Sequence, residues 1–400
     1  MSTNNSYLEV VRRPEPFYFK YPHHNLDFAD WISVFTLCLA PLVAHIFVGA
    51  PQPVVLSGKG PRWYHRMLLL NPTTIYWRYY AIRCRRARKL KAWGGKETAA
   101  TSAIFWVNDK EKWDGSEEFI TKSKEFLANG PSAKKFIFPL SISTLQTLLV
   151  TLQGVQALYI LGKGIRLGGF ALVVSLASIF QPLAIAGLFR LPSAAFLTDD
   201  FHYRTIEPEG DIPHQEMDVQ VKSASASAVP APCPLLTTIP TPVPTPIPSM
   251  RPEISPPTPL PENSELLLKQ HDPRAIFWEV LFLSATAGLL GLALWYFKPN
   301  PRITAGTYST LLINVFYVFF LLVTLAITFF YTVRYQNNTT IIPCIESDFY
   351  MAYTCILFTL AILVTIITAL ETRKTACGVY TTYAESLGWD HYVCPNSSSP

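Results

Sequence analysis

The chain has 400 residues, half of them hydrophobic and only 15% charged, with a formal net charge of +5. A soluble domain carries roughly 25% charged residues, so this composition excludes an ordinary water-soluble globule and points into a bilayer. A mean hydropathy of +0.22 combined with 33 prolines shows that the average conceals segments of very different character.

Residues 1–30 form a polar tail containing Arg12, Arg13 and Lys20, without the short apolar core and small-residue cleavage site of a secretory signal. The first apolar run therefore reads as a signal anchor. A hydrocarbon core about 30 Å thick needs roughly 20 apolar residues in helix. Runs of that length occupy residues 31–50, 136–161, 167–189, 275–297, 305–333 and 349–370, and Glu279 is the only Asp, Glu, Lys or Arg within them. Aromatic residues mark several ends, with Trp31 opening the first span, Phe277 and Trp278 opening the fourth, and Trp295, Tyr296 and Phe297 closing it. Such rings favour the headgroup level. The expected fold class is all-α, a polytopic helical bundle of about six transmembrane helices with a disordered proline-rich linker.

Between the first two spans lies a loop, 51–135, holding 17 Lys and Arg against 7 Asp and Glu. Its core, Asn71-Pro-Thr-Thr-Ile-Tyr-Trp-Arg-Tyr-Tyr-Ala-Ile-Arg-Cys-Arg-Arg-Ala-Arg-Lys-Leu-Lys, reads as a helix near 72–92. Asn71 suits the cap, Pro72 the first helical position, and the basic residues the last turns, where they complement the helix dipole. No clean charged face emerges at 100° per residue, because Arg83 and Arg86 fall among Ile75, Tyr79 and Leu90. The expectation is an interfacial helix whose aromatic half lies at the headgroups. Arg83, Arg85, Arg86, Arg88, Lys89 and Lys91 would then contact anionic lipid at about 1 kcal/mol each. A solvated basic helix that only fixes orientation is the bland alternative, and nothing accompanies the patch that would make it a nucleic-acid module.

The loop 190–274 is acidic, with 11 Asp and Glu against 6 Lys and Arg, and includes the proline-rich stretch 224–262. Thirteen prolines between Pro230 and Pro261 favour polyproline II, so this reads as a semi-rigid arm joining the first three spans to the last three. Thr241, Thr245, Ser255 and Thr258 each precede proline and would be kinase sites on a cytosolic arm or O-glycan sites on a luminal one. A plain spacer is the favoured reading of the arm, with a protein partner as the alternative.

Basic residues close to span ends number twelve on the side of the large loops and nine on the other. The positive-inside rule thus favours large loops in the cytosol and both termini outside. The tail 371–400 adds Cys377 and Cys394 as a candidate disulfide and Asn396 as a candidate sequon, matched by Asn4 at the other terminus. Asn337 and Asn338 are sequons on the opposite side and pull against that orientation.

Inside the spans, Gln146, Gln153 and Gln156 lie near one face of the second, and Gln181 and Asn314 add amides to the third and fifth. Such groups either line a polar pathway or join helices by hydrogen bonds. Glu279 is a functional candidate by default, yet it sits one turn from the start of its span, within reach of Arg274 or another helix. The sequence contains no HExxH or HxxxH, no GxSxG, no GxxxxGK[ST] and no CxxC. No catalytic, metal-binding or cofactor-binding residue is assigned.

The runs Leu39–Pro51, Asn71–Tyr79 and Gly388–Tyr392 resemble those of uncharacterised multi-pass membrane proteins of filamentous fungi. The resemblance implies a eukaryotic setting and no activity. The expected role is a non-enzymatic membrane scaffold or sensor in contact with anionic headgroups. A small-solute transporter using the amides and Glu279, or a membrane enzyme with an unrecognised site, are the alternatives.

Overall fold

The computed structural model describes residues 17–18, 26–56, 59–88, 93–107, 111–129, 142–166, 174–199, 201–204, 272–296, 306–335, 339–382 and 394. The proline-rich arm, Lys89, Lys91, Asn4, Asn337, Asn338 and Asn396 lie outside the described residues.

In chain order the elements are β1 (Phe17–Tyr18), α1 (Phe28–Gly49), β2 (Pro53–Val55), α2 (Trp63–Leu69), α3 (Pro72–Arg88), α4 (Gly95–Ser102), β3 (Ile104–Val107), β4 (Lys112–Asp114), α5 (Glu117–Ser123), β5 (Leu127–Asn129) and α6 (Ile142–Arg166). A 3₁₀ turn (Leu176–Ser178), α7 (Gln181–Gly187) and a second 3₁₀ stretch (Leu188–Phe196) follow, then β6 (His202–Tyr203). The last third comprises α8 (Pro273–Tyr296), β7 (Gly306–Thr307), α9 (Tyr308–Tyr335), α10 (Asp348–Glu371), β8 (Arg373–Lys374) and β9 (Tyr380–Thr381).

Six segments among the described residues are long and apolar enough to cross a membrane: Phe28–Gly49, Thr144–Lys163, Leu176–Phe196, Pro273–Tyr296, Tyr308–Arg334 and Asp348–Glu371. One boundary differs from the sequence reading: the third segment runs to Phe196 instead of 189, and carries both Pro192 and Arg190. An uncharged-run criterion stops at Arg190, but its guanidinium is satisfied inside the bundle. Nε donates to Thr147 Oγ1 at 3.1 Å, Nη1 to Val48 O at 2.9 Å and Nη2 to Gln146 Oε1 at 3.4 Å. A charge whose three nitrogens each donate a hydrogen bond within the protein need not end a span.

The spanning-length segments are helical, as expected of an all-α bundle, and the first loop adds a small three-stranded sheet of β2, β3 and β4. β2 pairs parallel to β3, and β4 antiparallel to it. The strand residues Ile104-Phe-Trp-Val are β-branched and aromatic, as a half-buried pleat favours. Trp106 stacks edge-on against Trp113 across the β3–β4 pair.

The bundle has two distinct ends. At one, Asp30 in the first turn of α1 accepts from Lys374 Nζ at 2.9 Å and from Tyr380 Oη at 2.8 Å. There too Glu371, closing α10, accepts from the backbone N–H of Ser309 at the start of α9, and Cys377 is bonded to Cys394. At the other end, the close of α1 meets α3, where Gly49 O accepts from Arg78, and the start of α8 meets α3 through Arg88 and Glu279. The start of α10 lies there as well, with Tyr350 against Thr74.

Where helices come closest, side chains vanish. A Cβ at Gly187 would strike the His45 ring and lie 2.7 Å from Val150 Cγ1. Small residues of this kind let backbones approach where van der Waals contact holds helices together.

Candidate functional site at the basic end of the third helix

α3 is enclosed by protein. Fourteen of its 17 residues are buried, and it packs against α8, α9 and the 3₁₀ stretch Leu188–Phe196. The absence of a clean polar face has a physical reason: most of this helix's circumference meets protein, and only Arg83, Arg86 and Arg88 are part-exposed.

Its first turns are fixed by hydroxyl groups. Asn71 Oδ1 accepts from the Thr73 N–H at 2.9 Å, as a cap should, while Nδ2 donates to Thr354 Oγ1 of α10 at 2.8 Å. Thr73 Oγ1 lies 2.8 Å from Thr324 Oγ1 and 2.7 Å from Tyr353 Oη. Thr74 Oγ1 donates to Leu68 O at 2.9 Å and lies 2.6 Å from Tyr350 Oη. Further along, Tyr76 Oη donates to Phe282 O of α8 at 2.9 Å, with Thr286 Oγ1 at 2.6 Å, and Tyr80 pairs with Thr332 of α9. In a water-poor interior each unmade bond would leave a polar group stranded, so these residues act as fasteners between four helices.

The arginines then divide into two kinds. Arg78 is buried and donates to two carbonyls, Gly49 O at 3.2 Å and Ser102 O at 2.6 Å. Arg85, only 3% exposed, pairs with Glu97 at 2.7 Å and Glu117 at 2.9 Å and donates to Thr101 Oγ1 at 3.1 Å. Lys124 completes the cluster on Glu97. Burial disfavours the Arg85 guanidinium's charge, and Glu97 offsets this only in part. Arg88 pairs with Glu279. Arg85 is thus removed from the surface where a headgroup would meet it, and the charge of Arg88 is neutralised within the protein. Both differ from the lipid-contact reading of the sequence.

Arg83 and Arg86 have aromatic partners instead. The Arg83 guanidinium lies 4.0 Å from the centre of the Trp278 ring and 5.4 Å from that of Phe196. Arg86 lies 5.2 Å from Phe196 and 5.5 Å from Trp93. Between α3 and α8, Arg83, Ala87, Pro273, Arg274, Phe277 and Trp278 line a groove of about 390 Å³.

The amides of the spans do not gather. Gln146 is engaged by Arg190, Gln153 and Asn314 are half-buried, Gln156 is exposed, and the Gln181 Oε1 is buried without a protein partner. None of them lines the enclosed cavity beside His45, bounded also by Pro72, Tyr76, Tyr79, Leu183 and Phe320. That space, about 10 Å³, is of the order needed for a single water. Among the described residues no group of three or more His, Cys, Asp and Glu is arranged to hold a metal ion.

Several members of this site were not legible as such. Glu97 and Glu117 stand on the short helices α4 and α5, Trp93 just before α4 and Phe196 at the end of the second 3₁₀ stretch, and only the folded chain places them beside α3. Trp278 and Arg274 were visible, as an interfacial ring and as a neighbour of Glu279, without any signal that Arg83 joins them.

Comparison with protein-family models, curated proteins and solved structures finds no match for this chain.

Proposed function

We propose that the chain is a membrane-embedded, non-enzymatic scaffold or sensor that presents a basic face to an anionic cytosolic leaflet and a disulfide-bearing face to the opposite compartment. The observation that carries this reading is the segregation between the two ends of the bundle. Cys377–Cys394 and the Asp30–Lys374 pair stand at one end, and Arg83, Arg86 and Arg274 with their aromatic rings at the other. Disulfides persist in oxidising compartments, whereas basic residues near span ends favour the cytosol. The two signals agree on one orientation, with both termini outside and the large loops, including the arm 224–262, inside. A small-solute pathway draws less support, since Gln146 is committed to Arg190 and Glu279 to Arg88.

Orientation is the first test. In sealed vesicles whose cytosolic face points outward, an impermeant reductant followed by an impermeant maleimide should leave Cys377 and Cys394 unlabelled until detergent is added. A Cys377→Ser/Cys394→Ser chain identifies their signal. Labelling of sealed vesicles overturns the reading. Deleting residues 224–262 should then abolish co-purification of protein partners while leaving insertion intact, and unchanged co-purification removes the scaffold role of the arm.

A further inference from the structure

We propose that the groove between α3 and α8 is a binding site for the phosphate of an anionic phospholipid, held by the guanidiniums of Arg83 and Arg274. The inference rests on the orientation read above and names the ligand of the basic face.

Charge comes first. Of the described cations around α3, Arg85 faces two carboxylates, Arg88 faces Glu279, and Lys124 faces Glu97. Among the described residues no carboxylate forms a salt bridge with Arg83 or Arg274, and both line the same groove. The acid beside it, Asp272, accepts from the backbone N–H of Arg274 at 2.9 Å and so caps the helix. Arg83 also has its Nε–H buried without a partner. Burial disfavours the charged form of Arg83, with a smaller contribution from the nearby Arg86 that Cys84 opposes, and an anion at the guanidinium would favour it. With one face of its guanidinium against Trp278, Arg83 keeps its edge for a planar, two-pronged contact, the geometry in which arginine recognises phosphate.

The surroundings select a lipid over a phosphate free in solution. Arg274, Phe277 and Leu281 are spaced three and four residues apart and share one face of α8. Phe277 is 59% exposed and Val280 equally so, with Leu281 at 41%. An apolar strip that leaves the groove along a membrane-length helix is where acyl chains would lie, and Phe277 and Trp278 stand where rings favour the headgroup level. The volume accommodates a phosphate with its glycerol, not the whole lipid.

The test uses the full chain in an uncharged detergent, with dioctanoyl phosphatidic acid, dioctanoyl phosphatidylcholine and inorganic phosphate as probes and equilibrium binding as the readout. Phosphatidic acid should bind, and phosphatidylcholine and inorganic phosphate should bind far more weakly. Arg83→Gln/Arg274→Gln should weaken phosphatidic acid about 30-fold, and Arg274→Gln alone about five-fold, on the scale of roughly 1 kcal/mol for each basic residue near an anionic surface. Arg66→Gln, at an exposed position on α2, should leave binding unchanged. Inorganic phosphate binding as tightly as the lipid makes the site one for soluble phosphate and overturns the assignment, as does equal binding of phosphatidylcholine. Wild-type affinity in a folded double variant overturns the groove but leaves the wider anionic-leaflet reading intact. Loss of all preference for phosphatidic acid in the wild-type chain overturns both. Should the double variant fail to fold, because Arg83 packs on Trp278, the exposed Arg274→Gln decides alone.

Discussion

α3 and α6 have exchanged the places that water would assign them. α6 is a 25-residue helix of mostly apolar side chains, and it exposes Leu145, Leu148, Leu149, Leu152, Val155 and Tyr159. α3 carries Arg78, Arg85, four threonine and tyrosine hydroxyl fasteners and a buried cap, and it is enclosed. In water the first arrangement would leave a large apolar patch unprotected. In hydrocarbon it is the expected one, because the surrounding solvent is as apolar as leucine and the polar groups are the ones that must find partners. The difference between these helices is a stronger argument for a bilayer environment than the hydropathy of either.

Breaking α3 should therefore cost far more than altering α6, and the largest effect is expected at Arg85. Arg85→Leu strands Glu97, 5% exposed, in the interior with only Lys124 beside it. Removing one member of a buried ion pair typically costs about 3–5 kcal/mol. We expect a large fall in the thermal midpoint of the purified protein, partly restored by Arg85→Leu/Glu97→Gln in a double-mutant cycle. A cycle with no coupling would show that the pair is incidental.

A smaller effect is expected from the hydroxyl contacts. Thr73→Val keeps shape but removes the contacts with Thr324 and Tyr353. Hydrogen bonds between helices in membrane proteins average about 0.6 kcal/mol in such cycles, so a loss near 1 kcal/mol is expected, measured by unfolding in mixed detergent. The matching change on the other helix, Leu152→Ala, should lie within about 0.5 kcal/mol of wild type, since Leu152 is 58% exposed. A Leu152 effect as large as that of Thr73 would mean that α6 is covered by protein, and the comparison would lose its basis.

What the sequence disclosed follows the same division. Spans declare themselves by length and lack of charge, which is why six apolar segments were visible and only the end of the third was misplaced. The third escaped because Arg190 lies inside it, and no rule of local composition reveals that Val48, Thr147 and Gln146 satisfy that charge. α3 was legible as a helix from Asn71 and Pro72, and its want of a polar face was visible as well. That pattern fits a helix in water, at an interface or buried among polar partners, and only the partners decide. Those partners are 191 residues away for Arg88 and 280 for Thr73–Tyr353, beyond any local signal. The groove was hidden for the same reason: Arg83 and Trp278 belong to separate halves of the chain.

The smallest predicted effect concerns the opposite end of the bundle, and it sharpens the contrast in electrostatic setting. Lys374 and Asp30 form an ion pair, with Tyr380 donating to the same carboxylate, but the Lys374 side chain is 37% exposed. The hydrogen bond to Asp30 holds the Lys374 ammonium above its ordinary value. A lysine whose folded-state value is raised contributes stability that is fully present below the unfolded value and is lost as pH rises through the folded one. Stability should therefore be level through neutral pH and decline only in the alkaline range above the ordinary lysine value. Lys374→Gln should remove that decline while changing the neutral-pH midpoint little, because exposed pairs are screened by solvent and salt. The measurement is the thermal midpoint of both chains across alkaline pH at low and high salt. An alkaline decline that persists unchanged in Lys374→Gln would assign it to another group. A decline lost in the variant and weakened by salt would show that this end is held by a solvated contact, whereas the Arg85–Glu97 pair at the other end is buried.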